Sequence, residues 1–289
     1  LIAVEVVRGS RRLIALEQIV PVPSERLPSL SIIVAARNEE RNIAAALTSL
    51  LHLDYPQLEV VLINDRSADR TRDIVAEIAA QDERLTILQI DELPPGWLGK
   101  NHALWRGSQL ATGELLLFTD ADIIMAPQTL RHAVSLLLTC QLDHLTLSPA
   151  VRMPGMLLNL LGATFGLFFG LHTRPCRVTD RHSDCHIGIG AFNLVRAGAY
   201  RQVGGHKTIC LRPDDDLKLG KLIKKAGFRQ QFAYGETFIQ VQWYASLREM
   251  VVGLEKNLFA GTDYRIGLTC AGLGASLILF VWPYLALLS

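Results

Sequence analysis

No G-x-x-x-x-G-K-[ST] loop occurs in the chain, which removes the P-loop nucleotide hydrolases. No G-x-S-x-G turn occurs either, which disfavours an α/β-hydrolase. Gly188-Ile189-Gly190 lacks the third glycine of a dinucleotide fingerprint, because Asn193 stands there. There is no basic excess: 29 Lys and Arg face 28 Asp and Glu, so nucleic acid is not an expected partner. The five cysteines are odd in number, form no C-x-x-C and follow no visible signal peptide, which fits a reducing compartment. Cys176, His182, Cys185 and His186 do cluster, but their spacing matches no usual zinc finger.

What the chain has in surplus is apolar residues, 49% against 20% charged. The surplus is localised. Leu268 to Ser289 runs 22 residues without a charge and reads as a transmembrane helix. Met156 to Leu171 is shorter, about 16 residues, and contains Asn159 and three glycines. That suits a helix lying in the membrane interface, or a buried one. Residues 1–28 read as a lead-in or linker, residues 29–260 as the catalytic domain, and residues 261–289 as a juxtamembrane segment with its span. The chain opens on Leu1 without a Met, so both ends read as cut points in a longer protein.

From Leu30 onward, apolar runs alternate with helical patterns. Strands are expected over 31–35, 58–63, 85–90, 114–119 and 145–150. Helices are expected from Asn38 to Leu51, from Ser67 or Asp69 to Ala80, over 100–110, 127–138, 217–226 and 246–259. This β-α-β-α order predicts an α/β fold: a mostly parallel, mixed sheet with helices on both faces. Ligands of such sheets sit beyond the carboxyl ends of the strands. Arg37-Asn38-Glu39, Asn64-Asp65-Arg66-Ser67 and Asp120-Ala121-Asp122 all fall at those ends.

Asp120 and Asp122 follow the apolar run Leu115 to Phe118 and Thr119. Residues i and i+2 of an extended segment point the same way, so both carboxylates can converge on one hard cation. Asp65 can accept from a base N–H or a ribose hydroxyl, or serve as a turn residue. Glu39 can do likewise, or favour a helix N-terminus as any acid does. Lys100 opens a helix after the rigid loop Leu93 to Gly99, where it adds a point charge for phosphate or stays a solvated surface lysine. Trp97 in that loop is a substrate platform or a loop anchor. Asp214, Asp215 and Asp216 crowd a helix start, and at least one should be an ionised carboxylate near neutral pH, as a general base requires.

Together, Ile33 to Glu40, Ile63 to Thr71, Asp120-Ala121-Asp122 and Asp215 to Gly220 resemble the family-2 glycosyltransferases with the GT-A fold, over residues 29–260. LPPGWLGKNHAL and Leu254 to Phe259 are similar to the membrane-bound branch that includes hopene-associated and carotenoid glycosyltransferases. The resemblance implies that Ala35, Arg37 and Glu39 line a nucleotide pocket, that Asp65 contacts the base and that Lys100 lies near the diphosphate. It implies that Asp120 and Asp122 bind Mg²⁺ or Mn²⁺, with Asp122 the firmer ligand and Asp120 reaching ribose or sugar. Gly188, Gly190, Ala191 and Trp243 would shape the acceptor side. Asp216 would be the base, with Asp215 standing where the family has Glu. Only Gln242-Trp243-Tyr244 is present where processive members carry Q-x-x-R-W, which implies transfer of one sugar. A UDP-sugar donor, a lipid acceptor such as a hopanoid or carotenoid, an inverting displacement and a plasma-membrane location with the catalytic domain in the cytoplasm complete the expectation. Lys256 and Arg265 before the last apolar run agree with that orientation. Two other readings stay open: a GT-A nucleotidyltransferase, although residues 35–40 hold no glycine, and a catalytically silent, membrane-tethered binder of nucleotide sugar.

Overall fold

The computed structural model describes residue 9, residues 13–261, residues 264–267, and residues 270, 272 and 274. The chain divides into two compact units, Leu1–Tyr244 and Ala245–Ser289. The first is built on an eight-stranded sheet in the order β1-β10-β7-β9-β5-β2-β3-β4. Its strands are β1 Ile14–Ala15, β2 Leu30–Ala36, β3 Leu58–Asp65, β4 Leu85–Ile90, β5 Leu115–Asp120, β7 His144–Ser148, β9 Asn193–Arg196 and β10 Gln230–Tyr234. All pairings are parallel except those of β9, which runs antiparallel to both β5 and β7. The expected mixed, mostly parallel sheet is therefore present. A second sheet joins β6 Ile124–Met125, β11 Ile239–Gln242 and β8 Ala150–Arg152 in the order β6-β11-β8.

The central strands are apolar on both faces because both faces are covered. Ile32 and Val34 enter one core with Ile43, Leu47 and Leu50 of helix α1 (Ile43–Leu51), Val75 of α2 (Thr71–Ala79) and Leu130, Val134 and Leu137 of α4 (Thr129–Thr139). Ile33, Val61, Ile63 and Phe118 enter the other. There they meet Ala103 and Leu104 of α3 (Gly99–Leu110), Tyr200 of α6 (Ala197–Gln202) and Leu219 and Ile223 of α8 (Asp215–Lys225). The first core also takes in Leu16 and Leu27, so the segment ahead of β2 packs against the sheet. Three further helices are α5 Gly155–Thr173, α7 Gly205–Thr208 and, in the second unit, α9 Leu247–Gly261.

Three boundaries differ from expectation. Asn38 does not cap a helix: its φ is 58°, its Oδ1 accepts from the Ala68 N–H at 2.8 Å, and α1 begins only at Ile43. The single strand expected over 145–150 is two strands, β7 and β8, that part after Ser148 to join different sheets. Asp215 and Asp216 belong to the first turn of α8 rather than preceding it. The apolar run expected at the interface is helix α5, 19 residues, with Met156, Leu157 and Leu160 exposed at 87%, 59% and 63%. With the turn that follows to Arg177, it is long and apolar enough to cross a membrane. The second expected membrane segment, Leu268 to Ser289, lies outside the described residues except at three positions.

Candidate active site

Parallel registry brings the special residues to one edge. Ala36 pairs with Asn64, and Ala35 pairs with both Ile63 and Asp120, so β2, β3 and β5 end side by side. The loops beyond are stapled together. The Asn38 N–H donates to Ser67 Oγ at 3.0 Å, Glu39 N–H to Thr71 Oγ1 at 2.8 Å and Glu40 N–H to Asp69 Oδ2 at 3.1 Å. Glu39 is thereby held facing the Asp120–Asp122 tip. Burial first, and then the charges of Asp122, Asp120 and Asp69, push its carboxyl up to about 7. Arg37 is exposed on the same loop and Ala35 is half-buried. Asp65 is buried at 3% and accepts from Arg66 Nε at 2.7 Å and Nη2 at 2.9 Å. A Cβ on Gly99 would stand 2.3 Å from Asp65 Oδ2, so the start of α3 abuts that carboxylate.

The next residue of α3 joins the two halves of the site. Lys100 Nζ lies 2.8 Å from Asp120 Oδ1 and 3.4 Å from Asp215 Oδ1. One ammonium thus spans from the tip of β5 to the first turn of α8. Its side chain is 42% exposed. Burial works to lower its pKa, but Asp120, Asp215 and Asp216 outweigh it and hold it well above the usual lysine value. The three neighbouring acids have separate surroundings. Asp214 accepts from Arg212 Nε and Nη2 at 2.9 and 3.0 Å and lies 3.4 Å from Lys218 Nζ. Asp215 faces Lys100 on one side and His206 Nε2, at 3.8 Å, on the other, and burial raises its carboxyl. Asp216 is half-buried, its Oδ1 accepts from the Leu217 N–H at 2.7 Å, and burial followed by the Asp215 charge pushes it up to about 7.

Glycine shapes the opposite wall. A Cβ on Gly190 would come within 2.5 Å of Asp120 Oδ2, and one on Gly188 within 1.8 Å of the Asp216 carbonyl oxygen. The loop Gly188–Ala191 therefore lies against both acids, and its Gly190 carbonyl accepts from the Asp120 N–H at 3.1 Å. Ala191 is buried, with its carbonyl accepting from Thr119 Oγ1 at 2.8 Å. Trp243 follows β11, which runs antiparallel to β6 and so returns toward Asp122. Its ring meets Phe165 of α5 at 4.9 Å and stacks on Tyr244 at 4.8 Å. Trp97 stacks on Trp105 at 5.2 Å and so anchors its own loop.

Two supporting residues escaped the sequence reading. Asn101 Nδ2 donates to the carbonyls of Ile209 and Arg212 at 2.7 and 2.8 Å, tying the start of α3 to the segment before α8. His206 is 1% exposed and pairs its Nδ1 with Tyr200 Oη at 2.9 Å. The signal available was Asn directly after Lys100 and His directly after two glycines. Among the described residues, no three His, Cys, Asp or Glu side chains converge to hold a metal, the Cys176–His186 loop included. Asp120 and Asp122 suit an ion that keeps several waters and takes its remaining oxygens from a substrate diphosphate, as Mg²⁺ does. Burial and the Asp120 charge push Asp122 up to about 6, a surplus of negative charge that a divalent cation would relieve.

The family described as "Glycosyltransferase like family 2" matches residues 28–258. The 4,4'-diaponeurosporenoate glycosyltransferase of Staphylococcus haemolyticus is 24% identical over 83% of the chain and 63% of its own length. The beta-monoglucosyldiacylglycerol synthase of Trichormus variabilis is 41% identical over 38% of the chain and 24% of its own length. The chain thus spans less than two thirds of either relative. Among solved structures, mannosyltransferase PcManGT from Pyrobaculum calidifontis, in complex with GDP-Man and Mn²⁺, aligns with a TM-score of 0.67 at 20% identity, over 98% of the chain and 84% of that protein. S. aureus TarS 1-349 in complex with UDP-GlcNAc aligns with a TM-score of 0.52 at 17% identity, over 75% and 59%. The fold is that of the GT-A glycosyltransferases.

Proposed function

The chain belongs to the family-2 glycosyltransferases, and we propose that it transfers one sugar from a nucleotide sugar, a UDP-sugar in our reading, to a hydroxyl of a membrane lipid. The observation that carries the reading is the Lys100 ammonium, in reach of both Asp120 and Asp215. It joins a diphosphate-binding strand tip to an acid-led helix across one cleft.

Ala35, Arg37, Glu39 and Asp65 line the nucleotide side, Lys100 meets the diphosphate, and Asp120 and Asp122 hold Mg²⁺ or Mn²⁺. The ion, when bound, supplies positive charge to the departing diphosphate. Gly188, Gly190 and Ala191 leave room for the acceptor hydroxyl, with Trp243 beyond them. Asp216 takes the hydroxyl proton while the acceptor oxygen bonds to the anomeric carbon from the face opposite the leaving group. The bond from that carbon to the diphosphate oxygen breaks, its electron pair leaves with the nucleoside diphosphate, and the configuration inverts. Asp215 stays paired with Lys100, which leaves Asp216 as the base. The relatives named for carotenoid and diacylglycerol products, together with the exposed apolar helix α5, support a lipid acceptor at a membrane.

A nucleotide-release assay on membranes, run with UDP- and GDP-sugars, tests this. Nucleoside diphosphate should appear only when lipid extract is supplied, together with a hexosylated lipid in the mass spectrum. Release of pyrophosphate in a parallel reaction given nucleoside triphosphate and sugar 1-phosphate identifies a nucleotidyltransferase instead, and no release in either reaction identifies a silent binder.

A further inference from the structure

We propose that Phe165, Phe169, Ile189 and Trp243 form a wall along which the apolar chain of the lipid acceptor lies, with its hydroxyl end delivered between Gly190 and Asp216. The inference deepens the transferase reading and rests on it. It starts from the two faces of α5. Leu158, Phe165, Phe169 and Thr173 recur at spacings of seven, four and four, one stripe of a helix. Leu158 and Thr173 are buried, so this stripe is the side seated on the domain. Between them Phe165 and Phe169 stack on one another at 6.0 Å yet stay half-exposed.

Each of these two rings leads to the site by a different path. Phe165 meets Trp243 edge to face at 4.9 Å, and Trp243 directly follows the strand that returns toward Asp122. Trp243 is fixed there, since its N–H donates to the Arg152 carbonyl at 3.2 Å. Phe169 and Ile189 pack against the same small core of Val178, Ile187 and Phe232. Ile189 stands between Gly188, whose backbone lies on Asp216, and Gly190, which lies on Asp120. The stripe is thus continuous with the Asp120 carboxylate and with the Asp216 backbone. The opposite side of α5 bears Met156, Leu157 and Leu160 in the open, a surface from which a membrane-dissolved chain can pass inward. Flat rings suit a long chain: they offer large contact area at small entropic cost.

The test uses cis-parinaric acid, a conjugated fatty acid that accepts energy from tryptophan, with the full chain in dilute detergent. The wild-type protein should bind it saturably and show strong transfer. Trp243→Phe should keep binding but lose most of the transfer. Phe165→Ala should raise the half-saturation concentration about tenfold, equivalent to about 1.4 kcal/mol of lost contact. Phe165→Leu, which preserves the packing of α5, should raise it less, and it decides the matter if the Ala variant melts early. Unchanged binding in both Phe165 variants, or full transfer in Trp243→Phe, overturns the proposal. The transferase reading fails separately. Probe binding at this wall with no acceptor-dependent nucleotide release leaves a lipid site without that activity. Intact release with an acceptor KM that Phe165→Ala and Phe165→Leu do not move leaves the activity without this wall.

Discussion

Asp216 carries the proton in this scheme, and its surroundings set the pH at which it can do so. Burial and the Asp215 charge raise it to about 7, so it accepts a proton only where it is ionised. The value of kcat/KM should therefore climb through about pH 7 and level above it. Asp215→Asn removes the charge that raises Asp216, so the acid limb should move to lower pH. Asp216→Asn should retain donor binding by calorimetry and lose transfer by about 10²-fold or more, the usual worth of a positioned base. Normal turnover in Asp216→Asn would sink the assignment. Gly190 gives an independent test. Its added Cβ in Gly190→Ala meets Asp120 Oδ2 at 2.5 Å, so the carboxylate must swing. Manganese-dependent UDP binding should weaken about tenfold, while Gly198→Ala, whose added Cβ meets nothing within 4 Å, should leave it unchanged. The acids were legible in the sequence because polar residues at the end of an apolar strand have few structural excuses. The roles of Asn101 and His206 were not, because their partners lie 108 and nine positions along the chain and only the fold brings them near.

Helix α8 owes its placement to a buried polar network reaching in from the strands. His144 of β7 bonds through Nε2 to Asn193 Oδ1, and its Nδ1 accepts from Gln230 Nε2 at 2.6 Å. Asn193 Nδ2 reaches the Asp216 carbonyl at 3.4 Å, and Gln230 Nε2 donates to the Gly220 carbonyl at 3.1 Å. His144 is wholly buried, which lowers its pKa to about 4. Burial likewise takes His206 to about 3. Above the ordinary imidazole value of about 6.5, both are neutral whether folded or unfolded. Below it the unfolded chain gains protons that the folded one refuses. Stability should then fall by up to about 1.4 kcal/mol per pH unit for each histidine, with His144 ceasing to contribute below about pH 4. Urea titrations between pH 7 and 4.5 check this, and His144→Gln should reduce the slope. The strand–helix alternation was readable from apolar periodicity, but this network was not. The parting of β7 from β8 after Ser148 did have a signal, Pro149, but the different partners of the two strands had none.

At the scale of the molecule, the proposed lipid acceptor requires the first unit to meet a bilayer, and α5 is the element that would do so. The apolar run from Met156 to Leu171 looked short for a span, yet the helix it forms has 19 residues, about 28 Å at the usual rise. Length alone would permit crossing. Packing argues otherwise. Leu158 and Thr173, near the two ends of the helix, are both buried, with Phe165 and Phe169 half-buried between them. A helix anchored on an α/β domain near both of its ends cannot also have lipid on every side, so under the proposed function it would lie in the plane of the membrane with its outer stripe in the acyl boundary. Leu157, Leu160 and Leu167, exposed at 59%, 63% and 57%, form part of that stripe. Replacing all three by Ser should reduce flotation with vesicles by tenfold or more, since each leucine contributes about 1.5–3 kcal/mol when fully buried. Spin labels at Leu157→Cys, Leu160→Cys and Leu167→Cys distinguish the two arrangements directly. An in-plane helix gives all three the same shallow depth in oxygen-accessibility measurements. A crossing helix gives depths that change steadily along the 11 residues from 157 to 167, and that result would remove the bilayer from the open side of the acceptor wall.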